Sequence, residues 1–406
     1  MQRRTVVRGR NLCVVAALSA VSFCVASPCA AQETRESEIA AKQAEKAQHL
    51  QKYQPNVVEK ILLRLERGRL DPPPVTVSFD TVYSGGGLTG NVLFLRHYGD
   101  RSTWYGRAAY SIKQYKLIEV GTTVPDLGRR RRLALSTKIG WRDATEVGFW
   151  GVGMETTEDG RTNYRFRESY GGVRADYRAA PWLPVSAGVT FEGYELYSGK
   201  GSGPSIEDVY TPATAPGLGD SPDFVHSDIR AAIDTRPPGE YTRKGGEYSL
   251  GLHNYLDVDG GTYSFSRVEA GALQHIPIVR ETWVLSMRAR LRSTIGGDSQ
   301  VPYFLLPTLG GGNSLRAHSS WRFRDRHAAD ATLEWRWIPN RAALDMAVFF
   351  DAGQVADEVN ALRPNRFATN VGIGVRLHAR QFMVMRMDVA HGSAGWHLTI
   401  SNKVPF

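Results

Sequence analysis

A few short segments of this chain carry the residue types from which binding or catalytic sites are made. Arg129 to Arg132 is an unbroken run of four guanidinium groups, able to hold phosphate through paired N–H donation. Asp257-Val258-Asp259-Gly260-Gly261 opens like a calcium loop, but the later oxygen ligands and closing glutamate do not follow, and a glycine-rich hairpin turn accounts for it. His391-Gly392-Ser393-Ala394-Gly395 is one residue out of register for the elbow that exposes a nucleophilic serine. His97, His226, His253, His275, His318, His378 and His397 are scattered without metal-ligand spacing. Arg288, Arg290, Arg292, Arg376 and Arg386 would either form an anion-attracting wall or pair with acids such as Glu334 and Asp388. The expectation is a non-enzyme with no cofactor and no metal. A catalytic triad assembled across strands stays open, because such sites are known by geometry rather than by order.

The elements that would position these groups follow from compartment and periodicity. All three cysteines, Cys13, Cys24 and Cys29, fall within the first 29 of 406 residues. The same stretch has Arg3, Arg4, Arg8 and Arg10, an apolar run from Val14 to Val25, and small residues ending at Ala30 and Ala31. That order makes residues 1–31 a secretory signal peptide, with cleavage expected after Ala31. Pro28 before Cys29 fits a lipoprotein signal poorly. The exported chain then has no cysteine, which excludes a disulfide framework and thiolate metal sites. Its formal charge falls from +9 to about +5, because four arginines and no acids leave. An exported protein rarely meets nucleic acid, so no nucleic-acid partner is expected. No later apolar run is long enough for a membrane-spanning helix, which leaves a soluble protein or a β-barrel.

Two-residue alternation favours the barrel. In 281–293, Trp283, Leu285, Met287, Ala289 and Leu291 share one face, while Val284, Ser286, Arg288, Arg290 and Arg292 share the other. The pattern returns at Phe367–Leu377, at Met383–Val389 and in the last strand, where Trp396, Leu398, Ile400, Val404 and Phe406 share a face. Lipid can cover the greasy side while the polar side faces a water-filled lumen. Strands are expected near 75–84, 87–97, 102–115, 131–142, 145–154, 163–177, 183–197, 222–234, 245–256, 262–275, 280–294, 327–338, 342–352, 367–379, 381–391 and 394–405. Sixteen is an even number, as a closed antiparallel barrel requires. Odd-to-even connections read as mostly long (116–130, 155–162, 198–221, 295–326, 353–366), and even-to-odd ones as mostly short. The exception is 235–244, with Pro237 and Pro238. Long loops belong outside and tight turns on the periplasmic side, which puts the Arg129–Arg132 run at an outer loop near lipopolysaccharide phosphates. Residues 32–73 are different: polar and helix-prone, with Val58, Ile61, Leu62 and Leu65 at helical spacing before Pro72, Pro73 and Pro74. They read as a periplasmic helical lead, either a tether or a plug, ahead of a barrel over 74–406.

The longest loop contains Pro307-Thr-Leu-Gly-Gly-Gly-Asn-Ser-Leu-Arg316-Ala317-His318 and runs to Asp325; Leu333-Glu334-Trp335-Arg336-Trp337 and Phe349-Phe350-Asp351-Ala352-Gly353 follow on the next two strands. This order, with a chain-terminal aromatic strand, resembles the BamA/TamA superfamily of outer-membrane barrels, also called the bacterial surface antigen family. The resemblance implies that the sixth loop folds into the lumen and presents Arg316 to Glu334 and Asp351, with Gly353 as the glycine after the second acid. It also implies that Trp396 and Phe406 belong to the C-terminal signal by which such barrels are recognised during assembly. The alternation independently turns Glu334 and Asp351 inward, since Leu333, Trp335 and Trp337, and likewise Leu344, Met346, Val348 and Phe350, share the greasy face.

Two departures stand out. The family's glycine and aromatic after the loop arginine are Ala317 and His318 here, and alanine resists the positive φ that glycine permits. Residues 32–73 are also too short for even one of the periplasmic POTRA domains that family members carry. The expectation is an all-β, 16-stranded antiparallel transmembrane β-barrel with a short helical periplasmic N-terminal segment, in the outer membrane of a Gram-negative cell. By resemblance it would assist protein insertion into, or translocation across, that membrane. Its partners would be outer-membrane lipid and lipopolysaccharide, unfolded outer-membrane protein clients, and a separate periplasmic chain. A passive pore for small solutes and a non-transporting surface-antigen barrel remain the alternatives.

Overall fold

The computed structural model describes residues 37–42, 45, 57, 60–64 and 73–405, except 240, 298, 340–342 and 380–382. The chain divides into two units, Met1–Pro55 and Asn56–Phe406. In the first, residues 37–42 and 45 are helical and exposed. In the second, residues 60–64 are helical, with Leu62 buried and Ile61 exposed. The expected signal peptide, most of the 32–73 lead and Phe406 lie outside the described residues.

From Val75 onward the chain builds one antiparallel sheet of sixteen strands, each bonded to its neighbours in chain order. The first eight are β1 (Val75–Asp80), β2 (Thr89–Tyr98), β3 (Ser102–Ser111), β4 (Lys116–Leu127), β5 (Leu133–Phe149), β6 (Thr162–Ala180), β7 (Leu183–Ser198) and β8 (Asp223–Asp234). After β9 (Gly245–Asp257), β10 (Phe265–Val279) and β11 (Trp283–Ile295) comes the 296–326 loop. It holds its own two-stranded ribbon of β12 (Thr308–Leu309) and β13 (Phe323–Arg324). The sheet resumes with β14 (His327–Trp337), β15 (Ala343–Ala356), β16 (Ala368–His378), β17 (Met383–Gly392) and β18 (Gly395–Ser401). Its two ends come together: Asn402 Nδ2, just past β18, donates to Phe79 O of β1 at 2.6 Å.

Polarity is inverted relative to a water-soluble protein. On β15, Leu344, Met346, Val348 and Phe350 are exposed, while Asp345, Ala347, Phe349 and Asp351 are buried. On β14, Leu333 and Trp335 are exposed, and Thr332, Glu334 and Arg336 are buried. A continuous apolar exterior around a charged interior suits lipid outside and would aggregate in water.

The strand count agrees with the sequence, but two errors cancel within it. Residues 116–130 read as a long loop, yet 116–127 form β4, its outer face carried by Ile118 and Val120 and its inner by Leu117. Pro125 and the polar Gly121-Thr122-Thr123 weakened the alternation; a register shift between Val124 and Leu127 accommodates them. Conversely, 131–142 and 145–154 are not two strands joined by a turn at Asp143–Ala144. They are the single β5, passing that point through a bulge between Ala144 and Val147. Asp143 looked like a turn residue, but it is buried, with both carboxylate oxygens accepting from Arg165 at 2.8 and 2.7 Å. As a result the Arg129–Arg132 run, in the 128–132 connection, is on the short-turn rim and not at an outer loop.

Both mouths of the lumen are covered. At the long-loop rim, Val82, Phe149, Tyr164, Ile206, Tyr303 and Phe304 belong to one buried cluster drawn from four connections and their strand ends. Arg324 stitches it, donating to Tyr303 O at 3.1 Å and Gly148 O at 2.9 Å. At the other rim, the long 235–244 turn folds inward: Tyr241 stacks on His378 and donates to Asp345, while Arg336 donates to Thr242 O at 3.1 Å. The expected outcome of Val348→Arg, on the outer face, is a loss of about 2–4 kcal/mol in folding into bilayers if that face meets the membrane midplane. The same charge at Thr190, half-buried on the inner face of β7, is tolerated; heat-modifiable gel mobility in vesicles measures both.

Candidate functional site

The ribbon of β12 and β13 carries the 296–326 loop so that its tip, 310–322, lies against the inner faces of β14, β15 and β17. Gly310 and Gly311 take positive φ (115° and 81°) to turn the chain there, a conformation open to glycine because it has no Cβ. Gly353 has a different use: a Cβ there would stand 3.0 Å from Leu309 Cδ1 and 3.2 Å from Ala329 O, so glycine lets β12 seat on β15.

At the tip, Arg316 is 2% exposed and meets three carboxylates that are fully buried. It forks onto Asp351, with Nε to Oδ2 at 2.9 Å and Nη2 to Oδ1 at 2.8 Å. Nη1 donates to Glu334 Oε2 and to Asp388 Oδ2, both at 3.1 Å. The guanidinium lies over the Phe349 ring, 3.3 Å from its centroid. Further arginines join the set: Arg376 donates to Glu334 Oε2 at 2.6 Å, and Arg386 Nε lies 3.4 Å from Asp388 Oδ2. Arg386 also donates to Gly312 O at 2.8 Å, tying the loop backbone to β17. Asn370 Nδ2 donates to Asp351 Oδ2 at 2.8 Å. Arg336 Nε, 3.9 Å from Glu334 Oε1, adds a fourth guanidinium, and close ion pairs with shared hydrogen bonds offset the cost of desolvating each charge.

The expected set of Arg316, Glu334 and Asp351 is therefore brought together, while Gly353 supports the loop without touching Arg316. Trp396 stands 74% exposed on β18, and Phe406 is outside the described residues. Asp388, Asn370 and Phe349 were missed as partners of the loop. Asp388 was legible as an inward acid on β17. Phe349 was legible as an aromatic on the polar face of β15. The two departures at the tip are both accommodated. Ala317 does not take a positive φ, and it packs with Phe349 and Ala390 opposite Gly392, where an added Cβ would stand 3.0 Å from Ala317 Cβ. His318 is buried, edge-on to Phe323 at 5.1 Å, and burial holds its pKa below the ordinary value; its ring takes an aromatic's place, although both ring nitrogens are buried without a hydrogen-bond partner among the described residues.

Asp257 and Asp259, the calcium-like pair, form a turn instead: Asp257 accepts from Asp259 N and Tyr263 N, both at 3.0 Å. Among the described residues no group of three or more His, Cys, Asp or Glu is placed to hold a metal.

Arg316→Ala would leave the carboxylates buried without their shared cation, at a cost of about 3–5 kcal/mol in a dry setting. The expected result is faster tryptic cleavage at Arg322 and a lower gel-shift temperature. Arg316→Lys should recover little, because an ammonium cannot fork onto Asp351. A second expectation concerns Asp325, at the root of the loop. Burial first, and then Asp357, push its carboxyl up to about 6. The folded loop therefore prefers the protonated acid, so stability falls as pH rises from about 4 to about 6 and the penalty is complete above that. Asp325→Asn should stabilise the protein at pH 7, by about 1 kcal/mol once partial wetting at the rim is allowed for, and leave it unchanged near pH 4. Thermal gel shifts at the two pH values check this.

A family model, the Omp85 superfamily domain, matches residues 98–392. Among solved structures, the chain is similar to BamA from Haemophilus ducreyi lacking POTRA domains 1–3, with 14% identity and a TM-score of 0.57 over 83% of this chain and 76% of that one. It is similar to CdiB from Escherichia coli (13% identity, TM-score 0.57, 81% of this chain and 62% of that one). CdiB from Acinetobacter baumannii is a further likeness, at 12% identity and TM-score 0.51 over 80% and 58%. At such identities the likeness is one of fold, and the chain spans less than two thirds of either CdiB. No curated protein matches it. The domain match covers most of the chain, the solved structures resemble its fold over about four fifths of its length, and the protein belongs to the Omp85 superfamily.

Proposed function

We propose that this protein is an outer-membrane barrel that helps polypeptides into or across that membrane, with 32–73 as a periplasmic lead and the 296–326 loop locked in the lumen by Arg316. The observation that carries the reading is the seam between β1 and β18. Every other pair of neighbouring strands is joined by a backbone ladder, whereas these two meet, among the described residues, through the Asn402–Phe79 bond and the Lys403–Asp80 pair at 3.5 Å. β1 has six residues and β18 seven, against nineteen in β6, so the sheet is shortest where it joins itself. An exposed pair of that kind contributes about 1 kcal/mol or less, and unpaired strand edges are templates for a client strand.

Two further features support a lateral route over a passive pore: the loop cluster covering one mouth and the inward-folded 235–244 turn at the other. The apolar exterior and the family support an outer-membrane location. Clients would be unfolded barrel proteins, with a separate periplasmic chain supplying what the lead does not. Trp396, with Phe406, would form the chain's own assembly signal.

The test is reconstitution into liposomes and measurement of the folding rate of an unfolded client barrel. Acceleration is expected, and Arg316→Ala should reduce it. Asp80→Cys with Lys403→Cys can be joined by a reducible bifunctional thiol cross-linker that spans the length of the lost lysine stem, because the native cysteines all lie within the first 29 residues. The bridged form should lose acceleration and regain it on reduction. Client folding at the uncatalysed rate in every case would sink the proposal.

A further inference from the structure

Along the inner faces of β8–β11 lies a lumenal cavity of about 490 Å³, lined by Arg230, Arg236, Arg288, Arg290, Arg292 and His253. The only acids on its wall are Glu247 and Glu269. Glu247 is already committed, taking ion pairs from both Arg230 and Arg236. Across the cavity, Arg290 and Arg292 lean on one carboxylate, Asp330, at 2.9 and 3.3 Å, and Arg288 reaches the same group at 3.5 Å. One buried carboxylate cannot neutralise Arg290 and Arg292 together. Arg292 Nε is also buried with no hydrogen-bond partner among the described residues. Glu269 faces Arg292 in strand register, and its carboxylate lies 3.8 Å from His253 Nε2. Arg290 and Arg292 remain 33% and 22% exposed, so their free edges can be reached from the lumen.

We propose that this cavity is a binding site for a small, soluble, phosphate-bearing anion, held chiefly by Arg290 and Arg292. Planar guanidinium forks match the oxygens of a phosphate group two at a time, and a confined, weakly screened cavity concentrates anions. Its volume is at the small end of ligand pockets, which fits a headless phosphate compound better than one carrying acyl chains. The bound anion would supply the negative charge that Asp330 alone cannot, and would brace β10, β11 and β14 beside the lock, whose loop Arg290 already touches by donating to Asn313 O at 2.7 Å. This site is independent of the seam and of any client.

The test is calorimetry with inorganic pyrophosphate as probe, on the full folded chain in an uncharged detergent. A single saturable site is expected, with a Kd between about 1 μM and 1 mM. Arg292→Gln should weaken it about tenfold or more, and Glu269→Gln, which removes a competing negative charge while leaving the arginines in place, should tighten it. Arg322→Gln, in the loop outside the cavity, should leave it unchanged. Heat-modifiable mobility verifies that each variant is folded. Absence of saturable binding, or binding indifferent to both Arg292→Gln and Glu269→Gln, would overturn the assignment. Binding lost equally in Arg322→Gln would point to diffuse attraction and overturn it as well.

Discussion

One guanidinium surrounded by three buried carboxylates governs how this protein is built. Charges removed from water must be matched by charges and hydrogen bonds in close geometry, since an unmatched one costs several kcal/mol. Arg316 cannot reach Glu334, Asp351 and Asp388 from the rim, so its loop must enter the lumen. That entry requires the ribbon of β12 and β13, the turn at Gly310 and Gly311, and the missing side chains at Gly353 and Gly392. Beyond the aromatic cluster at the long-loop rim, the interior is committed to ion pairs, and the greasy residues of the strands face outward, where lipid is the solvent that accepts them.

The molecule has strong and weak places for the same reason. Backbone ladders hold every neighbouring pair from β1 round to β18. The lock ties the loop to β14, β15 and β17, and through Arg386 and Gly312 the loop backbone is bound close to the last strands. The last strand then meets the first through side chains, over the shortest strands of the sheet. A firmly held loop thus stands beside a lightly held seam, which is the contrast that the proposed lateral route uses.

Much of this was legible in the chain, and the failures have physical causes. Alternation identified the inner and outer faces of β11 and β14–β18 because those strands carry long apolar side chains on one side only. It failed at β4 and β5, where Gly121, Thr122, Thr123 and Pro125 blur one face and Asp143 mimics a turn; there the strands are held by ladder bonds and by Arg165, which no local pattern reveals. The Arg129–Arg132 run went to the wrong rim through that one error, since shifting a single strand exchanges the two ends for everything between. The Pro237–Pro238 stretch was recognised as too long for a turn, but its Tyr241 finds a reason only beside His378 and Asp345, more than a hundred residues away.

The sequence by itself determined the class of the protein: all cysteines within the first 29 residues, strands that alternate apolar and polar faces, and Glu334 and Asp351 both turned away from the apolar face. The direction of both acids follows from spacing, because period two dictates which side each residue takes, whereas Arg316 as their partner was implied by the family resemblance. Only the tertiary structure decided that Asp388 joins the lock, that Ala317 and His318 can replace a glycine and an aromatic, that both mouths are covered, and that Arg290 and Arg292 share a single carboxylate. Each of these depends on which distant strands become neighbours when the sheet curls, and on distances of a few ångströms across the lumen. Periodicity along a chain tells which way a side chain points; what it meets there depends on curvature, register and the path of the loop.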